Sequence, residues 1–436
     1  MQQQDAAAGW NVTPRTLSRL ERRTSFGEVE YTLTLAQAVQ EANRCLYCYD
    51  APCIQGCPAR IGIPEFIARI RSRNLTGAAE VIYRDNPLGA ICGRVCPVEA
   101  LCQKACTSCR INKPIAIGSL QRFVCDLAMQ EERIAFQDET NMRGKVAVVG
   151  GGPAGLSCAH FLRRLGCGVD LFEKEDLAGG LLRWGVPIYR LPEDVAKREI
   201  GIITNRVALH RKYLLGTQAE DFIKQYDAIF LGVGLSSPVR LRIPGADLPG
   251  VYAASSFLRA LREEKSGGFA FFGKEIAVVG GGATALDAAR SAIRLGAAKV
   301  TVLYRRTAEE MPAFTSEVEA AFREGVEFLW LASPVEITQV DGRLKLILEG
   351  ICLGEPDESG RACPIPTGVR TNFLADAVLV AIASQADPAS VDGWKDHPKV
   401  FRGGDLTGGA TVVQAVADGK EAALRIIHWL ENGGSR

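Results

Sequence analysis

Eight cysteines crowd the stretch from Cys45 to Cys106. They read Cys45-x2-Cys48-x4-Cys53-x3-Cys57-Pro58 and then Cys92-x3-Cys96-Pro97-x5-Cys102-x3-Cys106. Thiolates at such short, unequal intervals can wrap a small inorganic core, and iron–sulfur cubanes are held by four of them. A Cys-Pro that closes a run is a feature of two-cluster ferredoxins, where that last cysteine serves the other cluster. Zinc is the competing reading, because Cys-x2-Cys pairs also build zinc ribbons. The number of thiols, the two Cys-Pro endings and the nucleotide motifs downstream favour iron and sulfide. Cys109, Cys125, Cys158, Cys167, Cys352 and Cys363 read as buried apolar fillers or inert surface thiols. None forms Cys-x-x-Cys beside a nucleotide site, which speaks against a dithiol-based disulfide reductase.

Two dinucleotide fingerprints follow. In the first, the turn Gly150-Gly151-Gly152-Pro153-Ala154-Gly155 stands between an apolar run, KVAVVG, and an apolar-periodic helix, PAGLSCAHFLRRLG. Gly150 permits the tight turn, Gly152 lets a pyrophosphate approach the backbone, and Gly155 allows close helix–strand contact. The helix start adds free N–H groups and its dipole. Glu173 ends the next strand, where a carboxylate accepts from ribose hydroxyls. The second fingerprint repeats the pattern at Gly280, Gly281, Gly282, Ala283 and Thr284, with Ala285 in place of the third glycine. Tyr304, Arg305 and Arg306 stand where the first copy has its acid. A carboxylate there would repel a 2′-phosphate, whereas guanidinium forks bind one, so the second site favours NADPH over NADH. A solvated strand end is the plainer reading of the two arginines. The division of labour that follows is FAD at the first copy and NADP(H) at the second, the cofactors supplying the hydride chemistry.

The elements that must position these groups set the architecture. Residues 145–176 and 275–306 match almost position for position, which implies two nucleotide domains of common design. Residues 1–141 read as helical and Cys-rich, with amphipathic runs such as LAQAVQEANRCL and no convincing period-2 strand before Lys145. The end, VFRGGDLTGGATVVQAVADGKEAALRIIHWL, reads as a strand, a Gly-rich turn ending in Asp405 and a closing helix. That segment suits the far side of a flavin site, so the first nucleotide domain is expected to be discontinuous. The expected fold class is α/β: an all-helical iron–sulfur domain over 1–141, a first Rossmann-like domain over 142–262 and 385–436, and a second over 263–384.

Composition excludes other classes. Hydrophobic content is 47%, charged content 23% and net charge +1, which favours neither nucleic acid nor an acidic membrane as partner. The first residues lack a signal-peptide core, and no apolar stretch reaches the ~18 residues of a membrane span. A reducing cytoplasmic setting is expected, with the thiols held for metal rather than disulfides. The four histidines, His160, His210, His397 and His428, are scattered, so no catalytic triad and no dedicated general acid is expected.

Nearly the whole chain resembles one known group. CLYCYDAPCIQGCP, TGAAEVIYRDNPLGAICGRVCP, PIAIGSLQRF, GGLLRWGVPIYRLP and GGDLTGG are similar to the flavin/iron–sulfur subunit of dihydropyrimidine dehydrogenase, within the family that also holds the small subunit of glutamate synthase. The DAPC and NPLG stretches and Gln121 resemble the dihydropyrimidine enzymes more. The resemblance implies nucleotide domains of the glutathione-reductase type and two [4Fe–4S] clusters. One cluster would be held by Cys45, Cys48, Cys53 and Cys106, the other by Cys57, Cys96, Cys102 and the amide of Gln121, leaving Cys92 spare. Spacing alone would give Cys92 a cluster. The implied FAD contacts are Gly150 to Ala154, Glu173, Leu181, Arg190, Gly404, Asp405, Thr411 and Val412. The implied NADPH contacts are Gly281 to Thr284, Arg305 and Arg306. The chain departs from the group at Ser384-Gln385, where relatives have a Gly-Gln pair, and in a shorter stretch from there to Gly404-Asp405. The implied partner is an FMN-containing barrel subunit that binds the pyrimidine and takes up the electrons to reduce uracil or thymine. A glutamate synthase input module, and a zinc-stabilised NAD-binding regulatory protein, are the competing functions.

Overall fold

The cysteines sit in turns because the helices between them are short and closed by definite signals. In the computed structural model, which describes residues 12, 14–134, 136–140, 142–212, 216–263, 269–357, 360–394 and 397–433, Thr34 opens helix Leu35–Ala42 with a capping box completed by Gln37. Helices Ile63–Arg71, Leu75–Asp85, Gly89–Val95 and Ile117–Gln130 bury Phe66, Ile67, Ile70, Ile82, Ile91, Leu120 and Val124 against one another. Cys45 and Cys48 follow helix Leu35–Ala42, Cys53 lies in the turn Pro52–Gln55, and Cys96 caps Gly89–Val95. Among the described residues before Lys145 the only β pairing is a bridge between Thr16 and Glu30.

Two five-stranded parallel sheets follow. The first runs in the order Val400–Arg402, Ala228–Leu231, Lys145–Val149, Gly168–Glu173 and Ala208–Arg211. The last of its strands in sequence thus comes from the final fifty residues. The closing helix Val412–Glu431 lies against the first fingerprint helix, Pro153–Arg164, with Ser157 Oγ donating to the Val416 carbonyl at 2.7 Å. A Cβ on Gly419 would overlap the Ala154 carbonyl oxygen, so that crossing needs glycine.

The second sheet runs Val251–Ala253, Ala377–Val380, Glu275–Val279, Lys299–Tyr304 and Glu327–Trp330. Val251–Ala253 therefore belongs to it, and the boundary expected between residues 262 and 263 moves forward of Val251. The cause is a strand of three half-buried residues, too short to carry a periodic signal. The helix that follows it, Ala254–Arg262, packs Phe257 and Leu258 into the second domain's core. An antiparallel sheet of Ala332–Val340, Arg343–Pro356 and Ala362–Ala375, not foreseen from the sequence, extends the same domain. Ser237–Pro238 and Ser384–Gln385 pair as a two-stranded ribbon where the chain passes between the two parallel sheets. No described helix is long and apolar enough to cross a membrane.

Candidate functional site

The first fingerprint turn is shaped by what its glycines leave out. Gly150 has φ +102°, and a Cβ on Gly155 would overlap the Gly150 carbonyl oxygen, so helix and strand touch backbone to backbone. Around Gly152 nothing lies within 4 Å of a hypothetical Cβ, which leaves the helix start open. That start has Pro153 at its first position and no side-chain cap, so its free N–H groups face the opening. Glu173 is buried, and its Oε2 accepts from Gly151 N at 2.8 Å while Oε1 accepts from Glu175 N at 3.0 Å. Burial pushes its carboxyl above the ordinary carboxylate range.

Three other segments meet this turn. Gly179 N donates to the Gly151 carbonyl at 2.7 Å, which ties in the loop leading to Leu181. The Gly404-Asp405 turn packs on Ala154, with Gly404 N donating to Asp418 at 3.0 Å. Burial, followed by the charge of Asp418, raises the Asp405 carboxyl. Thr411 caps the closing helix, its hydroxyl accepting from Gln414 N at 3.2 Å, so Val412 begins that helix beside the Asp405 turn. Arg190 faces the second nucleotide domain. Its guanidinium bonds both Asp287 oxygens at 2.9 and 2.8 Å and Glu317 at 2.8 Å, across the junction with the second nucleotide domain. Neither acceptor is visible in the sequence, because Asp287 reads only as an interior residue of the second fingerprint helix.

The second turn repeats the first. Gly280 has φ +137°, and its Cβ would overlap the Ala381 carbonyl oxygen. Gly282 again faces open space, with only Pro312 at 4.0 Å. Ala283 and Thr284 begin helix Ala283–Arg294, and Ala285 is fully buried at the position the first copy fills with Gly155. The arginine pair divides. Arg306 is buried and donates to the Ala362 carbonyl at 2.7 Å and to Asp357 at 2.8 Å. Arg305 is exposed and, among the described residues, makes no hydrogen bond or ion pair.

The thiols line two cavities that share one wall. Cys45, Cys48, Cys53 and Cys106 face the first, together with Ile63, Ile67, Ile115 and Ile117. Cys57, Cys92, Cys96, Cys102 and Gln121 face the second, together with Ile61, Ile63, Asn86 and Val413. Ile63 stands between them, and Val413 reaches the second from the closing helix, one residue after Val412. Gln121 Nε2 donates to the Gly89 carbonyl at 2.8 Å, which leaves its oxygen as the free end. Cys92 is hydrogen-bonded to Cys96, and that bond, with burial, holds the Cys96 thiol well up. Burial raises Cys45 and Cys57 and pushes Cys53 and Cys102 up to about 12. A positive inorganic core bound there would draw these thiols back toward the thiolate form. Among the described residues no group of three or more His, Cys, Asp or Glu is gathered as a metal-ion site. Four thiols facing an apolar cavity match the donor set of a cubane. Each cavity offers a donor set with the chemistry such a cluster requires. A cluster bound there would supply one-electron storage.

Turns, open helix starts and thiol cavities in this arrangement define a flavin- and iron–sulfur-dependent pyridine nucleotide oxidoreductase. The comparisons agree. Residues 144–419 match the pyridine nucleotide-disulphide oxidoreductase family, and residues 22–133 match the dihydropyrimidine dehydrogenase domain II, 4Fe-4S cluster family. The chain belongs to the pyridine nucleotide-disulphide oxidoreductases and carries that 4Fe-4S domain ahead of them. It is 37% identical to the NAD-dependent dihydropyrimidine dehydrogenase subunit PreT of Escherichia coli, over 95% of this chain and 100% of that one. It is 34% identical to the glutamate synthase [NADPH] small chain of the same organism, over 94% and 95%. Among solved structures, FprA of Mycobacterium tuberculosis in complex with NADPH shares the fold, with TM-score 0.56 and 20% identity over 67% of this chain and 86% of that one. The chain is thus an NAD(P)H-dependent electron-input oxidoreductase whose cofactors are FAD, NAD(P)H and iron–sulfur clusters.

Proposed function

We propose that this chain is the input subunit of a dihydropyrimidine dehydrogenase: NADPH gives hydride to FAD, and two [4Fe–4S] clusters carry single electrons to a partner's FMN, which reduces uracil or thymine. The observation that carries this reading is continuity. The flavin turn at Thr411-Val412, the second thiol cavity through Val413, and the first thiol cavity through Ile63 form one unbroken line of contacts. FAD would lie on Gly150 to Gly155, Glu173, Leu181, Gly404-Asp405 and Thr411-Val412. Arg190, the remaining member of this set, is already held by two carboxylates. Cys45, Cys48, Cys53 and Cys106 would hold one cluster. Cys57, Cys96 and Cys102 would hold the other with Gln121, though Cys92 also faces that cavity.

NADPH would lie on Gly281 to Thr284 with its 2′-phosphate on Arg305. The PreT relative is named for NAD and the glutamate synthase relative for NADPH, so the coenzyme must be argued from this chain's own residues. An exposed guanidinium at the strand end, with no partner among the described residues, supports the phosphate-bearing form. The purified chain should reduce a dye with NADPH, and should turn over uracil only after an FMN barrel subunit is added. The second reading is a glutamate synthase input module, favoured by a relative of nearly equal identity and coverage. Co-purification separates them: an amidotransferase chain in place of an FMN barrel would establish the second reading.

A further inference from the structure

Asn86 follows helix Leu75–Asp85 as its C-cap, in extended backbone imposed by Pro87. It is fully buried and lines the second thiol cavity beside Cys57, Cys96 and Gln121. Its main-chain N–H donates to the Ile82 carbonyl at 2.9 Å. Its Oδ1 accepts from Leu88 N, also at 2.9 Å. That bond fixes which end of the amide is oxygen, so the NH2 group is the other end. This Nδ2 has no partner. Among the described residues lining either thiol cavity, no other has a buried, unpartnered side-chain polar atom. A buried donor left without an acceptor calls for an explanation, commonly a group that completes the site. Gln121, the other amide here, has already placed its own NH2 on Gly89. The first cavity contains no side-chain amide at all.

We propose that Asn86 is a positioning residue for the second cluster, its Nδ2 donating a hydrogen bond to cluster sulfur. The inference rests on the proposed cluster in that cavity and holds whether Cys92 or Gln121 is the fourth ligand. Hydrogen bonds to sulfur stabilise the more negative, reduced cluster and so raise its potential. Asn86 therefore makes the cavity next to the flavin domain the better electron acceptor. The cluster gains one electron and no covalent bond is made or broken.

The test is a redox titration of Asn86→Ser holoprotein against wild type, using a europium(II) chelate as low-potential reductant and EPR as readout. Serine keeps a short acceptor for Leu88 N and removes the amide donor. The reduced-to-oxidised ratio of the second cluster at a fixed potential should fall about tenfold, about 59 mV for a one-electron couple, with FAD and the first cluster unmoved. An unmoved second cluster, or all three centres moving together, overturns the proposal. Should the serine variant fail to assemble, wild-type protein labelled with 15N in the asparagine side chain decides. A 15N coupling to the reduced second cluster supports the bond, and its absence overturns it. Wild-type protein without iron and acid-labile sulfide would sink the cluster reading itself, a separate outcome.

Discussion

The two fingerprint units differ less in their turns than in what covers their helices. At the first, the helix is covered by the closing helix through small residues and one neutral bond, Ser157 to the Val416 carbonyl. At the second, the equivalent helix is covered by charge. Arg290 and Arg294 grip Glu324 with four bonds of 2.6 to 3.1 Å, Tyr189 lies under both guanidiniums, and Arg190 reaches Asp287. Arg294 also donates to the Ser25 carbonyl of the N-terminal segment. One sequence unit, used twice, thus packs as a tight apolar crossing in one place and as a buried ionic junction between domains in the other. The lesson is that a repeated motif fixes the nucleotide turn and leaves the outer helix face to its surroundings.

The largest effect that can break this comparison is at the third position of the turn. Gly155→Ala should lose nearly all its FAD, read as flavin released on denaturation, because its Cβ would overlap Gly150. Ala285→Gly, at the twin position, should keep nucleotide binding. If both variants retain FAD, the close approach at the first copy is not what holds the turn.

Next in size is the ionic junction. Glu324→Gln should cost about 3–5 kcal/mol in denaturant unfolding, the usual result of leaving buried guanidiniums without their carboxylate. Ser157→Ala should cost about 1 kcal/mol, the value of one ordinary hydrogen bond. Equal costs would erase the distinction between the two faces.

The arginine pair sharpens the comparison at the strand ends. Arg305→Ala should raise the KM for NADPH about 10- to 100-fold and leave NADH unchanged, consistent with loss of about 1.5–3 kcal/mol of charge-assisted bonding. Arg306→Ala should impair both coenzymes alike, since its bonds go to Ala362 and Asp357. A preference that survives Arg305→Ala removes the phosphate clamp.

At neutral pH the smallest effect is that of the first helix's histidine, whose acid sensitivity shows only below pH 6.5. His160 is fully buried, and burial, followed by the charge of Arg164, lowers it to about 3 from an ordinary 6.5. The folded chain therefore keeps it neutral, while the unfolded chain takes up a proton below 6.5. Its contribution is complete above pH 6.5 and is lost as pH falls from there toward 3, at about 1.4 kcal/mol per pH unit. His160→Phe should flatten that slope in unfolding titrations. Its twin position carries Arg290, which stays charged over this whole range, so Arg290→Met should leave the slope above pH 4.5, where its partner Glu324 does not yet titrate, as it was.

The sequence made the chemistry-bearing parts of this molecule legible because local rules govern them. Turn glycines, helix starts, the residue at a strand end and cysteine spacing each act over a few neighbours. The discontinuous first sheet was also readable, since GGDLTGG and its closing helix had no core of their own. Contacts made at long range were not. Val251–Ala253 pairs with Ala377–Val380, far along the chain, and the Arg343–Pro356/Ala362–Ala375 hairpin lacks a clean alternation because much of its outer strand is exposed. Arg190 was placed at the flavin by resemblance, and only the packing of two domains brings Asp287 and Glu317 to it. The split between Arg305 and Arg306 likewise depends on a carbonyl supplied 56 residues away.

The most direct test is an anaerobic absorbance titration of the purified yellow-brown chain with NADPH and, separately, with NADH. The account predicts that about one equivalent of NADPH bleaches the bound FAD, and that NADH needs a concentration at least about tenfold higher to match its rate. A chain that carries no flavin, or one that NADH reduces as readily as NADPH, would contradict the assignment of different nucleotides to the two copies.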